Sequence, residues 1–233
     1  MRPSEFHRQA APRITDVLLS WSGGKDSAMA LHTLRQDSSY RVTCLLTTVT
    51  KDYERVSIHG VRRALLDRQA EAIDLDLFEV TIPAQCTHET YQSSMVAALM
   101  SPRLADINTH AFADLFLEDV RAYRETNLAK LGKKAIFPVW GHETKILARN
   151  FISLGFHAVV VCVDSRILDR DLAGREFDQA FLNDLPMNVD PCGENGEFHT
   201  FVYDGPGFRF PIRFERGKTV VRDGFAFSDL VQT

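Results

Sequence analysis

The sequence is short of the features that would place a chain in a membrane, outside the cell or on nucleic acid. No apolar run approaches the ~20 residues that a bilayer-spanning helix needs. The first fifteen residues, Met1 to Thr15, are polar and proline-containing and lack the apolar core of a secretion signal. Only four cysteines occur, Cys44, Cys86, Cys162 and Cys192, and none are spaced as in a zinc knuckle or a redox pair. Lysine and arginine do not outnumber the acids, and the formal net charge is −4, so there is no broad basic field for a phosphate backbone. These absences set the expectation of a cytoplasmic, reduced protein with no membrane partner and no nucleic-acid partner.

What is present is ordinary globular composition. Hydrophobic residues make up 45% and charged residues 25% of 233 residues, enough to bury a core without covalent staples. Cys44 and Cys162 stand in apolar runs and read as buried thiols. Short apolar or β-rich runs at 16–21, 41–49, 76–82, 108–113, 134–140 and 157–163 read as strands. Between them, 27–34, 59–74, 87–100, 114–131 and 143–154 carry helical periodicity, with Thr87 a candidate N-cap and Gly132 a helix stop. A short helix is expected near 176–182, and β runs at 198–203, 208–214 and 219–221 finish the chain. Strands alternating with helices imply βαβ units, so the fold class is α/β with a parallel sheet. The texture changes after Gly141. The expected organisation is a flexible tail over 1–15, a nucleotide-binding domain over 16–141 and a smaller α+β, substrate-side domain over 142–233.

The chemistry concentrates in Ser22-Gly23-Gly24-Lys25-Asp26-Ser27, between the first strand and the first helix. An open α/β sheet binds its ligands there. Two glycines let backbone approach an anion, N–H groups of the turn and helix start point at it, and Ser22, Ser27 and Lys25 add hydroxyls and charge. The loop is neither G-x-x-x-x-G-K-[ST] nor G-x-G-x-x-G. A plain Gly-Gly turn with a solvated Lys-Asp pair would also satisfy the letters, but the position favours an anion cradle.

That hexapeptide resembles the loop of the PP-loop ATP pyrophosphatases. The segment Gly193-Glu194-Asn195-Gly196-Glu197-Phe198-His199-Thr200-Phe201 is similar to the C-terminal signature of the diphthine–ammonia ligase (diphthamide synthase) family among them. With Phe137-Pro138-Val139-Trp140-Gly141 and Ala173-Gly174-Arg175-Glu176-Phe177-Asp178, the resemblance runs over nearly all of 16–225. The wording Asp190-Pro191-Cys192-Gly193-Glu194 looks closer to the bacterial branch, often labelled adenine nucleotide α-hydrolase, whose substrates need not be diphthine. The resemblance implies a sheet of the HUP/PP-loop type, ATP with Mg²⁺ on its triphosphate, ammonia, and a carboxylate substrate. A homodimer is a further expectation. Amide formation through an acyl-adenylate, releasing pyrophosphate and AMP, is the implied reaction, and no metal site of the protein's own is expected.

Three further groups of residues bear on the site. Asp114, Glu118, Arg121 and Glu125 follow at steps of four, three and four, which on a helix is one face. Pattern alone reads this as a solvated face with Glu118–Arg121 and Arg121–Glu125 pairs. The family carries a Gly-Asp pair and a helix-borne Arg and Glu here, with Ala113 departing from the glycine, so the resemblance implies Asp114 as catalytic and Arg121 and Glu125 as substrate-binding. In the glycine-rich segment, Glu194 or Glu197 is expected to deprotonate the nitrogen nucleophile, with Asn195, Gly196, His199 and Thr200 lining the substrate pocket. Thr48 ends the second strand and His59 opens the next helix, and both are expected beside the adenosine. Two other readings share the phosphate loop: a tRNA thiolase, which would want a reactive cysteine such as Cys192, and a nucleotide sensor without turnover.

Overall fold

The computed structural model describes residues 14–52, 55, 56 and 60–233. The first half runs β1 (Thr15–Ser20), α1 (Lys25–Gln36), β2 (Tyr40–Thr50), β3 (Arg55–Val56), α2 (Arg63–Ile73), β4 (Asp76–Ile82), α3 (His88–Leu99), β5 (Thr109–Ala111), α4 (Glu118–Ala129) and β6 (Lys134–Ile136). The second runs α5 (Thr144–Ser153), β7 (His157–Asp164), α6 (Gln179–Asp184), β8 (Phe198–Asp204), β9 (Phe214–Arg222) and β10 (Phe225–Gln232). None of the described helices is long and apolar enough to cross a membrane. The four cysteines are free, with Cys44, Cys162 and Cys192 buried.

Two sheets result. In the first, β4, β2, β1, β5 and β6 lie side by side and parallel. The chain therefore winds outward from β1 in one direction, returns, and winds out in the other. The reversal falls between β1 and β5, and at such a switch point the diverging loops leave a crevice at the carboxyl ends of the strands. β3 pairs antiparallel with Val49 and Thr50 of β2, beyond Leu46, the last residue of β2 that β1 reaches. Val56 is thereby set above the end of β1. The second sheet is antiparallel, in the order β8-β7-β10-β9. This is the α/β architecture expected, with a parallel sheet followed by an α+β lobe.

One apolar cluster joins the α1–α2 side of the first sheet to the second sheet, through Trp21, Leu31, Leu65 and Leu66 to Phe151, Phe198 and Phe201. The other covers the opposite face, where Leu18, Leu46 and Phe112 meet Leu99 of α3 and Leu128 of α4. Because the first cluster is shared, the glycine-rich segment and β8 are packed directly onto the loop that follows β1.

Several elements differ from their sequence reading. Helix α4 begins at Glu118, so Asp114 stands before it and is out of phase with its faces. β6 stops at Ile136 and Phe137–Trp140 turns, since Pro138 has no N–H to give a ladder. Residues 208–213 are not a strand: their backbone bonds go singly to Gly205, Ala72 and Tyr203, and Pro211 interrupts them. β10, absent from the sequence reading, is the inner strand between β7 and β9; its buried positions alternate, but two of them are the small Ala226 and Ser228 while Phe225 and Phe227 take the other face. The expected tail falls mostly on residues 1–13, which lie outside the described residues.

Candidate active site

The loop after β1 is held open by interior polar bonds. Gly23 has φ 79°, a left-handed value that a side chain would strain, and a Cβ there would stand 2.7 Å from Gln69 Oε1. Gln69 is fully buried on α2. It accepts a hydrogen bond from Trp21 Nε1 at 2.9 Å and donates from Nε2 to the carbonyls of Gly23 at 2.9 Å and Val202 at 2.5 Å. Val202 N–H closes the set by donating to Gly23 O at 2.9 Å. Thus the back of the loop is tied to α2 and to β8 at once.

The start of α1 is capped from the second sheet. Gly24, the N-cap residue, has no side chain to offer, and Thr200 Oγ1 accepts the N–H of Lys25 at 3.0 Å in its place. A Cβ on Gly24 would stand 3.0 Å from the carbonyl of Thr200, so the close approach of β8 requires glycine. The N–H groups of Asp26 and Ser27 follow on the same first turn, where a helix has no acceptor of its own. Ser22 Oγ lies 3.3 Å from Ser27 Oγ and accepts from Gly24 N at 3.2 Å. Ser22, Gly24, Asp26 and Ser27 all face a cavity of about 350 Å³ at the sheet's switch point. Small-molecule sites have this size, about 300–1,000 Å³.

Lys25, expected beside the phosphates, lines the same cavity, and its ammonium is engaged within the protein. It is buried, its ammonium donates to Asp26 Oδ2 at 2.8 Å and to the carbonyl of Cys192, and it lies over the rings of Phe198 and Phe177. Burial alone would lower its pKa. Asp26, Cys192 and Glu194 more than offset that, so the net shift is upward and the ammonium stays charged. The charge acts from beneath the cavity.

Across from the loop stand the acids. Glu194 Oε1 accepts the N–H of Leu115 at 2.7 Å, and its own N–H donates to Asp190 Oδ2 at 2.9 Å. Burial pushes its pKa up to about 7, with the charges of Asp26 and Asp114 adding to the rise while the Leu115 N–H and Lys25 oppose it. Glu197 is different: it is buried, and its two oxygens accept from Asp190 N, Asn195 N and Asn195 Nδ2 at 3.0–3.1 Å. These bonds knot the segment that presents Glu194. Asn195 belongs to the same knot. Gly193, at φ 67°, could not carry a Cβ without meeting the carbonyl of Phe198 at 2.7 Å.

Asp114 lines the cavity, but its partner is Arg124, which grips it through two bonds of 2.5 and 3.0 Å while stacking 4.3 Å over Phe112. Arg121 and Glu125 pair with each other on the exposed side of α4, and Arg121 lies over Phe137 and Trp140. Neither lines the cavity. Arg124, one turn on from Arg121, is the α4 arginine that lines the cavity. The four-residue spacing misled because Asp114 is not on the helix. Thr48, Gly196, His199 and Thr200 do line the cavity, whereas His59 lies outside the described residues.

The sequence reading passed over Gln69, Arg124, Asp190 and His110. Gln69 had one signal, an amide on the apolar stripe Leu65, Leu66, Ala70, Ile73. Arg124 and Asp190 had none that spacing could supply. His110, on β5, is buried with Nε2 3.0 Å from Ser20 Oγ. Burial first, then Arg124 and Lys133, drive its pKa down to about 3, so it is neutral.

Asp26 Oδ1 is buried and has no hydrogen-bond partner among the described residues. Burial raises the pKa of this carboxyl, and a divalent cation arriving with a triphosphate would hold it ionised and supply the missing partner, since Mg²⁺ takes one or two carboxylates and fills its shell with phosphate and water. Among the described residues no cluster of three His, Cys, Asp or Glu could hold a metal unaided.

Residues 15–135 match the family model of the diphthamide synthase N-terminal domain, and residues 143–228 match that of the diphthamide synthase C-terminal domain. Three proteins named diphthine–ammonia ligase are similar to the chain. That of Danio rerio is 25% identical over 231 residues, 89% of each chain. That of Homo sapiens is 30% identical over 118 residues, 48% of this chain and 44% of the human one. The match to that of Schizosaccharomyces pombe, at 24%, takes in 81% of this chain and 34% of the yeast protein. In the last two, the chain spans less than half the relative's length.

Proposed function

Since the chain belongs to the diphthamide synthase family, we propose that this ligase adenylates a substrate carboxylate with ATP and then amidates it with ammonia. The single observation that carries the reading is one cavity walled on one side by the Ser22–Ser27 loop and on the other by Glu194 and the Asp114–Arg124 pair. The first wall suits a triphosphate. The second suits an acid and a nitrogen nucleophile. In the proposal, residues 16–141 hold ATP and 142–233 complete the substrate side, in a protein acting in the cytoplasm.

Ser22, Ser27 and the first-turn N–H groups of α1 take the phosphate oxygens, with the helix dipole favouring the anion. Asp26 Oδ1 would hold Mg²⁺, which supplies charge neutralisation on the leaving pyrophosphate. Thr48 and Val56 border the adenosine end. Lys25 contributes a fixed positive charge below the loop, so charge that develops on the phosphate meets a preorganised field. The substrate carboxylate attacks the α-phosphorus, and pyrophosphate leaves. Ammonia then attacks the acyl carbon, Glu194 takes the proton from the attacking nitrogen, and AMP departs from the amide. A carboxylate with a pKa of about 7 accepts that proton readily near neutrality. The relatives' name gives diphthine as their substrate; for this chain the proposal names only the class, a carboxylic acid.

The thiolase alternative needs a nucleophilic sulfur. Cys192 is buried against the carbonyl of Thr144, and burial holds its thiol far from ionisation, which argues against that role. Purified protein given α-labelled ATP, ammonium and a panel of carboxylic acids should release AMP and pyrophosphate. ADP and phosphate as products would overturn the proposal, and tight ATP binding with no turnover across the panel would favour a sensor.

A further inference from the structure

A second cavity, of about 580 Å³, opens on the far side of Val56, which is a wall of both. One side of it is the outer face of the β9–β10 hairpin. Register sets Arg222 opposite Phe225 and Val220 opposite Phe227, so these four side chains share a face, and Lys218 extends it. The other side is β3 with Gly60, the end of β2 at Thr50, and Ala84 beyond β4. The volume is that of a small-molecule site, about 300–1,000 Å³. Among the described residues, its lining takes nothing from the loop after β1 or from the segment carrying Glu194.

The floor is built before any ligand arrives. Gly60 has φ 69°, and a Cβ there would stand 2.9 Å from Phe227 Cδ1, so that ring is packed directly on the turn after β3. Arg55 pins the same turn, donating from Nη1 to Gly60 O at 2.6 Å and to Asp229 Oδ1 of β10 at 3.0 Å. Phe225 is backed by Arg166, whose guanidinium lies 5.2 Å from the ring centre and is fixed by two bonds to Asp164. Rings held in this way have little freedom left to lose when a ligand settles on them.

The rim above that floor is positive, in a chain whose formal net charge is −4. Asp229 is taken up by Arg55 and by two bonds from Arg62. Asp223, at the hairpin turn, is the other acid of the lining among the described residues. Lys218 and Arg222 have no ion-pair partner among them. A bare inorganic anion would pair these cations and leave the phenyl floor wet. An uncharged apolar molecule would cover the floor and strip water from the cations without pairing them. An organic anion meets both demands.

We propose that this cavity is a second binding site, for an organic anion with an aromatic body. The body rests on Phe225, Phe227 and Val220, where aromatic contacts add to apolar burial. The acidic group, a carboxylate, sulfonate or phosphate, meets Lys218 and Arg222 at the rim. The site is separate from the nucleotide's, so this ligand and ATP bind together with Val56 between them. It goes beyond the amide-forming reading and does not depend on it.

The probe for the test is 8-anilinonaphthalene-1-sulfonate, whose rings and sulfonate match the two features of the site and whose fluorescence rises on apolar contact. The full chain should bind it saturably, one probe per chain, and MgATP should leave it bound. Lys218→Glu combined with Arg222→Glu should weaken that binding about tenfold or more. Val220→Trp, which fills the cavity from an exposed position of β9, should do the same. N-phenyl-1-naphthylamine, a similar body without the sulfonate, should bind the unaltered chain about tenfold more weakly. Thermal unfolding and MgATP affinity of the variants should match those of the unaltered chain, which separates loss of the site from loss of the fold. No saturable binding, displacement by MgATP, equal binding of the uncharged analogue, or undiminished binding by either variant would overturn the site. None of these readouts is amide formation, so failure here leaves the ligase reading standing, and failure of that reading leaves this site standing.

Discussion

The hydroxyl of Thr200 caps the backbone N–H of Lys25 at 3.0 Å, so a residue of the second sheet completes the loop that follows β1 in the first. Replacing an N-cap threonine by alanine costs about 1 kcal/mol, and about 2 at the upper end. Thr200→Ala should lower unfolding stability by that amount and raise the KM for ATP, while Thr200→Ser should restore both. Denaturant titration and initial rates of AMP formation check this; a Thr200→Ala variant with unchanged stability and KM would show that the cap contributes nothing.

Gln69 answers to three partners at once, Trp21 Nε1, Gly23 O and Val202 O. Gln69→Leu keeps the volume but leaves the buried Trp21 indole N–H without its acceptor and the Val202 carbonyl without the Gln69 donor, while Gly23 O keeps only Val202 N–H. Each group left unpaired costs about 1–3 kcal/mol. The variant should be among the most destabilising single changes in the chain, with ATP binding weakened as the loop loosens. Calorimetric unfolding tests it, and a loss below about 0.5 kcal/mol, the range of neutral surface changes, would refute it.

For Glu194, burial raises the carboxyl to about 7, and the proposed role requires the ionised form. Below that pH the group is protonated and cannot accept a proton; above it the base is present. The amidation rate should therefore rise with pH through about 7. Glu194→Gln should lower it by about 10²–10⁴-fold and remove the rising limb. A pH profile unchanged in shape by the substitution would assign the limb to another group.

Arg121 and Arg124 lie one turn apart and should behave in opposite ways. Arg121→Ala removes an exposed pair and a surface stacking contact, so its effect on stability should stay within about 1 kcal/mol and turnover should persist. Arg124→Ala leaves Asp114 at the cavity wall without its two bonds and should reduce turnover at least tenfold. Equal losses in both variants would restore Arg121 to the site.

Asp26→Asn keeps the size of the side chain and removes its negative charge. If Oδ1 holds the cation that comes with ATP, the Mg²⁺ concentration for half-maximal rate should rise tenfold or more. An unaltered Mg²⁺ dependence would place the ion elsewhere on the triphosphate.

The alternation of apolar strands and periodic helices was legible from residue order, because the periods of two and 3.6 are local properties of the backbone. So was the position of the loop, since two glycines between a strand and a helix mark a tight turn. The groups that approach them, Gln69 and the Thr200 carbonyl, come from far along the chain. β10 was not legible, because its buried face carries Ala226 and Ser228 while the large Phe225 and Phe227 lie on the other, so burial alternates but residue type does not. Residues 208–213 misled in the other direction, aromatic and β-rich yet bonded one group at a time.

What the sequence determined by itself was the fold class, the place of the glycine loop between β1 and α1, and the segment carrying Glu194. Only the tertiary structure decided that Thr200 and Gln69 tie the loop from behind, that Lys25 turns inward to Asp26 and Cys192, and that Asp114 meets Arg124 rather than Arg121. Glu194 and Glu197, near neighbours in the chain, were likewise separated in role only by folding, one facing the cavity and the other consumed by the loop that presents it. The physical reason is range. Turns, strands and helices follow from interactions among neighbours, whereas partner choice and pKa depend on burial and on groups that only the packed sheets bring together.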